Sequence, residues 1–419
     1  MRRLACAVVL AAVAVPAAPA DAASTPHVVL LSDQVADAGT VIRARERSLG
    51  FITRFRYATA ARGFSASLNE KQVARLTADP AVLMVVPDTE VTGAGTAAIA
   101  AGEQAPAGVR RIGAATAGTA STAATGAVAV LDTGIDLANP DLDARHGVNC
   151  ITPSTPARDD NGHGTHVAGI IGARNAGRDV VGVAPGTTVY AVKVLNARKT
   201  GTLSQLLCGI DWVARNAAAL GITTANMSIS GTGSDDGQCG RANRDAQHVA
   251  VCNVVAAGVT FVASAGNSGR GFGTTIPAAY REVLTATAMN DADGLPGGRG
   301  TAFGCKTTEK DDRFSTSSNF AVTSADAAHV IAAPGTCIVS SKAGGGTATY
   351  TGTSQAAPHV AAAVATCRSV DGPCAGLAPA AVIAKVRALS SAVTGAGFVG
   401  DPFSPVTGKA FGPLVSARS

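Results

Sequence analysis

Four polar residues spread over more than half of the chain are of the types that together break an acyl bond. Ser354 stands in "GTSQAAPHVAAAVA", after a Gly-Thr pair and at the start of an alanine-rich helical run. His163 lies between two glycines in "DDNGHGTHVAGIIGA", Asp132 closes the apolar run "AVAVLD", and Asn267 follows "TFVASAG" in a glycine-flanked loop. A serine hydroxyl is a poor nucleophile until a base takes its proton, and an imidazole can take that proton and later give it to a leaving amine. A carboxylate can hold the imidazole in one tautomer, and an amide N–H can donate to the oxyanion that forms. Each residue also has an ordinary use. Serine is a favoured helix cap, and Pro358 early in the helix fits that reading. Asp and Asn are turn formers, and a histidine can be purely structural. His166 follows His163 at helical spacing, which would suit a metal, but the glutamate of the zinc-protease helix is missing. Spacing alone does not choose between His163 and His166.

The elements that must position these residues come in two styles. From about residue 105 the runs "AVAVLD", "TVYAVKVL", "TTANMSI", "TFVASAG", "VLTATAM" and "HVIAAPG" alternate with helical stretches such as "SQLLCGIDWVARNAAALG" and "AAVIAKVRALSS". Runs that are apolar on both faces indicate parallel strands covered by helices, so the large module is expected to be an α/β domain with a doubly wound, mostly parallel sheet. In such sheets reactive groups gather beyond the carboxyl ends of the strands, where Asp132 and Asn267 fall. Before it, "HVVLLSD", "QVADAGTVIRARERSLG", "FITRFRYA", "GFSASL", "NEKQVARLTADP" and "VLMVVPDTEV" read as β-α-β-β-α-β, the split pattern of a small ferredoxin-like α+β module. The small-residue run "TGAGTAAIAAGEQAPAG" between the two reads as an exposed linker open to proteolysis.

Composition narrows the function classes. Of 419 residues, 47% are hydrophobic but only 4% aromatic, and 48 are glycine, which points to a core of Ala, Val, Ile and Leu and argues against base-stacking platforms. A net charge of +5 with no basic cluster implies neither a nucleic-acid nor a membrane partner. Residues 1–23 begin with Arg2 and Arg3, continue in a short apolar run and end in Ala-Asp-Ala, the pattern of a secretory signal. Loss of Cys6 with that leader turns nine cysteines into eight, an even number that reads as disulfides in an exported chain. Eight cysteines can pair in about 105 ways, and sequence does not decide among them. Pairing within short loops would join Cys239 to Cys252, Cys305 to Cys337 and Cys367 to Cys374, leaving Cys150 with Cys208. No CxxC pair occurs, so zinc is not expected.

The motifs "VAVLDTGID", "HGTHVAGIIG" and "GTSQAAPHVAAAVA" resemble those of the subtilases, the subtilisin-like serine endopeptidases, and stand in the chain order Asp, His, Ser known for that family. The resemblance covers roughly residues 104 to 415, and the leading module resembles the family's inhibitory prosegment. It implies Asp132, His163 and Ser354 as the triad, with Asn267 and the backbone N–H of Ser354 as the oxyanion hole. The implied organisation is a signal at 1–23, an inhibitory and folding-assisting prosegment at 24–100, and a catalytic domain at 101–419. The product would be a secreted, extracellular, monomeric endopeptidase that removes its own prosegment. Thr200, Gly201 and Leu203 would lie along an extended substrate, with Ser228, Ile229 and Ser230 opposite and Ala265, Gly266 and Thr275 beside them. Ser230 and Thr275 stand where glycine is usual in the family, which implies a pocket for small or medium apolar side chains. Gln355 replaces a common methionine after the nucleophile. No cofactor is implied for catalysis. Gln104, Asp141 and Asn175 fall near a family calcium site, although Ala176 lacks the side-chain oxygen expected there. A catalytically inactive binding protein on the same fold would be marked by loss of a triad or oxyanion residue, and none is lost.

Overall fold

Two kinds of apolar pattern fold into two kinds of sheet. The computed structural model describes residues 24–32, 34–57, 62–88, 96–300, 304–395 and 397–417, so the leader read at 1–23 lies outside the described residues. The chain forms two units, Met1–Thr92 and Gly93–Ser419. In the first, β1 (Thr25–Leu31), α1 (Ala38–Leu49), β2 (Thr53–Tyr57), β3 (Gly63–Leu68), α2 (Glu70–Thr77) and β4 (Val82–Pro87) follow the order read from the sequence. The strands pair antiparallel in the order β2-β3-β1-β4. Asp37 caps α1, which stops at Gly50 in the left-handed region, and Asn69 with Gln72 forms a capping box on α2. Val29, Ile42, Phe64 and Leu76 form its own small core.

The second unit opens with a departure from the sequence reading. Part of the presumed linker is structured: β5 (Thr96–Ala98) pairs with β6 (Thr119–Ser121), and α3 (Ala107–Arg111) lies between them. Backbone pairing holds these small residues, so no side-chain period announces them. Then come β7 (Ala127–Asp132), β8 (Asp143–Asn149), α4 (His163–Gly172), β9 (Thr188–Lys193), α5 (Leu203–Leu220) and β10 (Ile222–Met227). The short β11 (Gly231–Thr232), α6 (Ala246–Ala256), β12 (Thr260–Ser264), the short β13 (Thr275–Ile276), β14 (Val283–Asn290) and β15 (Arg313–Phe314) follow. The chain ends through α7 (Ser324–Ala327), β16 (Val330–Pro334), β17 (Ile338–Ser341), β18 (Thr347–Tyr350), α8 (Thr353–Cys367) and α9 (Pro379–Ser391).

Strands β8, β9, β7, β10, β12, β14 and β16 run parallel in that spatial order, and β15 adds antiparallel to the end of β14. All six runs read as strands are found there. The edge strand β8, "DARHGVN", was missed because one flank faces no neighbour and its residues are polar. Every residue of β7 is buried. Val128 and Val130 join the core that contains α4 and α8, while Ala129 and Leu131 join the core under α5 and α6. Helix α8 is buried on nearly all sides, and its alanines let it lie close against the sheet.

The four disulfides are Cys150–Cys208, Cys239–Cys252, Cys305–Cys337 and Cys367–Cys374, the short-loop pairing. Cys150–Cys208 spans 58 residues and ties the end of β8 to α5. Replacing both cysteines by serine in a Ser354→Ala background should lower stability by about 2–5 kcal/mol in urea unfolding, with β8 amides exchanging faster, because the denatured chain regains loop freedom. An unchanged midpoint would contradict that role.

Candidate active site

The carboxyl ends of the parallel strands bring the four polar residues together. Asp132 is the last residue of β7 and is fully buried. Its Oδ1 accepts the backbone N–H of Thr133 at 2.7 Å and lies 2.8 Å from His163 Nδ1. With Nδ1–H donating to the carboxylate, Nε2 carries the lone pair and is the basic atom. His163 is the first residue of α4, and Gly164 lets the helix start press on the 132–134 turn. A Cβ at Gly164 would come within 2.0 Å of the Gly134 carbonyl oxygen. Burial disfavours the His163 imidazolium, but the charge and hydrogen bond of Asp132 outweigh it and raise the pKa above the usual histidine value.

Two positioning groups were not singled out from the sequence. Asp159, upstream of His163, accepts from the Thr133 hydroxyl (2.8 Å), from the N–H groups of Asn161 and Gly162 (3.0 and 2.9 Å) and from Thr165 N–H (2.9 Å). It therefore locks the turn after β7 to the first turn of α4, with its negative charge at the helix N-terminus. Lys193, 3% exposed on β9, donates to the Thr133 and Leu195 carbonyls (2.5 and 3.0 Å) and to Asp160 (2.6 Å). The acidic pair in "DDNGHGT" was the available signal for the first; a lysine in an apolar strand was the signal for the second.

His166 does not join the site. Its Nε2 lies 3.1 Å from the carbonyl oxygens of Ile338 and Ala348, its ring stacks on Tyr350 at 4.4 Å, and burial pushes its pKa down to about 4. It is a neutral structural histidine.

Ser354 is the second residue of α8, and the residue before the helix is Gly352. It is thus inside the first turn and is not the cap. Its hydroxyl donates to the Ser228 carbonyl at 3.3 Å, a long bond, while Ser228 Oγ donates to the Ser354 carbonyl at 2.8 Å. Asn267 Oδ1 accepts the backbone N–H and the hydroxyl of Thr353 at 2.8 and 3.1 Å. That anchor leaves the NH₂ end of the amide as the available donor. His163, Ser354 and Asn267 line one cavity of about 490 Å³ with Asn161, Lys199, Thr349, Tyr350, Thr351 and Gln355. Gln355 is itself 2% exposed.

A second cavity of about 320 Å³ contains Gly201, Leu203, Ile229 and Ser230 with Val194, Leu206 and Ile276, so its walls are mostly apolar. Thr200, which precedes Gly201, is not among the lining residues; it sits in a turn closed by Asn196, whose N–H donates to the Thr200 carbonyl at 2.9 Å. Ala265 and Gly266 precede Asn267 and are buried, as is Thr275 in β13, paired with β11. Among the described residues, those lining the cavity of Ser354 include neither Ser230 nor Thr275.

Of the three calcium candidates, Asp141 is 1% exposed, and neither carboxylate oxygen has a hydrogen-bond partner. Burial, together with the charges of Glu103 and Asp179, pushes its pKa up to about 7. Gln104 is exposed and bridges Val180 through its backbone. Asn175 spends its amide on β5, accepting from Ala100 N–H at 2.8 Å and donating to the Ala98 carbonyl at 2.7 Å. Glu103, not picked out from the sequence, takes the N–H groups of residues 176–178 on Oε2, and its Oε1 is buried without a partner.

A buried carboxylate on an imidazole, with a serine hydroxyl and a side-chain amide lining the same cavity as that imidazole, is the residue set of a triad-type serine hydrolase, here on a doubly wound sheet. The chain belongs to the subtilase family, which matches residues 124–389, and residues 17–94 match the peptidase inhibitor I9 family. It is 34% identical to Subtilisin E of Bacillus subtilis (strain 168) over 318 residues, 74% of this chain and 71% of that protein. It is 35% identical to Alkaline elastase YaB of Bacillus sp. (strain YaB) over 302 residues, 72% of this chain and 68% of that one. Among solved structures, Sphericase matches with a TM-score of 0.58 and 25% identity, covering 76% of this chain and 99% of its own. The chain is a serine-type endopeptidase made as a precursor.

An imidazolium cannot accept the serine proton, so kcat/KM should fall on the acid side with a midpoint above the ordinary histidine value of about 6.5. Asp132→Asn removes the largest influence that opposes burial. Its acid limb should move to lower pH while kcat drops about 10⁴-fold, as read from pH profiles with a peptide anilide. An acid limb that stays in place would contradict the pairing.

Proposed function

We propose that the protein is secreted and cleaves its own prosegment and then extended polypeptides through an acyl-enzyme on Ser354. The observation that carries this reading is the 2.8 Å contact between His163 and Asp132 in the wall that also holds Ser354 and Asn267. Ser354 Oγ attacks the scissile carbonyl carbon as its proton passes to His163 Nε2. The carbonyl π electrons move onto oxygen, where Asn267 Nδ2–H and the Ser354 backbone N–H donate to the oxyanion. The Ser354 amide is in the first turn of a helix, whose N–H groups have no intrahelical acceptor. Collapse breaks the C–N bond, His163 protonates the leaving amine, and a water activated by the same base releases the acyl group. Asp132 stays ionised and stabilises the imidazolium between these transfers.

Four disulfides support an oxidising destination, and the signal-like leader supports export. The substrate strand would lie along Thr200–Gly201 and Ser228–Ser230, with Leu203 and Ile229 offering apolar surface to one side chain and Thr275 narrowing the neighbouring pocket. The prosegment of about residues 24–100 would hold that cleft until it is cut. Monomeric action is expected.

Asp141 and Glu103, with buried oxygens lacking partners, fit a hard cation such as calcium better than Asn175 does. With Gln104 they would hold the ion as a structural clamp outside the chemistry.

Expression of the precursor beside its Ser354→Ala variant tests the catalytic reading. Full-length precursor should persist only in the variant, and a fluorophosphonate should label only the wild type. Equal processing without labelling would refute the reading. For the ion, chelation should lower the melting temperature of the Ser354→Ala protein, and Asp141→Asn should abolish that response. A chelator response that survives Asp141→Asn would remove calcium from this position.

A further inference from the structure

Asn267 is an exposed side chain on a loop, yet an oxyanion donor works only if its position is fixed before the charge develops. Thr353 fixes the oxygen end of its amide. The backbone that carries it is a turn with Gly266 at φ +99° and Gly269 at φ +61°, conformations that do not hold themselves. Asn319, 1% exposed, holds this turn through its side chain and its backbone. Its Nδ2 donates to the Ala265 carbonyl at 3.0 Å and, at 3.4 Å, to Thr275 Oγ1. Its Oδ1 accepts Ser268 N–H at 2.9 Å and Arg270 N–H at 3.3 Å. Its own backbone N–H donates to the Gly266 carbonyl at 2.9 Å. One buried amide therefore binds the residues on both sides of Asn267 and reaches Thr275. The fit is tight: a Cβ on Gly266 would come within 2.5 Å of Asn319 Nδ2.

We propose that Asn319 is a positioning residue for the reaction, holding Asn267 where its amide meets the oxyanion and tying that turn to Thr275. This rests on the reading of Asn267 as the donor. Asn319 does not touch substrate; it acts through the turn. An ordinary buried asparagine would affect stability in the same way whether or not Asn267 is present, whereas a positioning residue loses its kinetic effect once the donor is gone.

The test is a double-mutant cycle on the mature enzyme, with active sites counted by fluorophosphonate titration. Asn319→Asp keeps the shape and the acceptor but sets an anion against the Ala265 carbonyl. It should lower kcat by about 10- to 100-fold with KM changed less than about twofold, the pattern of a misplaced transition-state contact. In an Asn267→Ala background the same substitution should change kcat by less than about twofold. A peptide aldehyde, whose adduct with serine carries the oxyanion, should lose affinity for Asn319→Asp in parallel with kcat. Equal losses in both backgrounds, or a lowered melting temperature with kcat intact, would overturn the proposal. If Asn319→Asp does not fold, Asn319→Ser is read in the same cycle. Should Asn267→Ala alone leave kcat unchanged, the donor reading itself fails, an outcome distinct from an additive cycle.

Discussion

A carboxylate held 2.8 Å from an imidazole, both almost fully out of water, is the contact on which the rest of the structure depends. Desolvation opposes charge on both groups, and each is tolerable only because the other is close and well directed. Asp132 therefore has to leave β7 at a fixed depth, and His163 has to enter α4 at a fixed angle. Asp159 and Lys193 serve these two demands through separate groups of Thr133, its hydroxyl and its carbonyl. The parallel sheet supplies the frame, since β7 lies between β9 and β10 and is buried on both faces.

The serine half of the site is anchored differently. Helix α8 crosses the core as a run of small residues, so its N-terminus is packed against the sheet it covers. Ser354 and Ser228 exchange hydrogen bonds between that helix and the loop after β10, and Thr353 reaches across to Asn267. Asn319 completes the arrangement through its hydrogen bonds to the Asn267 turn. Ser354, His163 and Asn267 thus sit on three separate chain segments whose spacing is set by packing.

Asp141 and Glu103 show the opposite condition, buried carboxylate oxygens without the partners that such groups require.

Much of this was legible in the residues. Continuous apolar runs specify strands buried on both faces, alternation specifies the leading module, and an even cysteine count specifies disulfides, because each pattern reports burial or redox setting locally. Asp132, His163, Asn267 and Ser354 were legible as a set because their motifs are long. The edge strand β8 and the pairing of β5 with β6 were not, since backbone hydrogen bonds leave no mark on side-chain periodicity. Nor could sequence separate a capping Ser354 from one inside the first turn, give Asn175 its actual partners, or find Asn319. Its four side-chain hydrogen bonds and the limit on Gly266 exist only because two loops far apart in the chain are pressed together. Residue type and order determined which chemistry was available; the packed structure decided which atoms face one another, because hydrogen bonding depends on ångström distances that only tertiary contact sets.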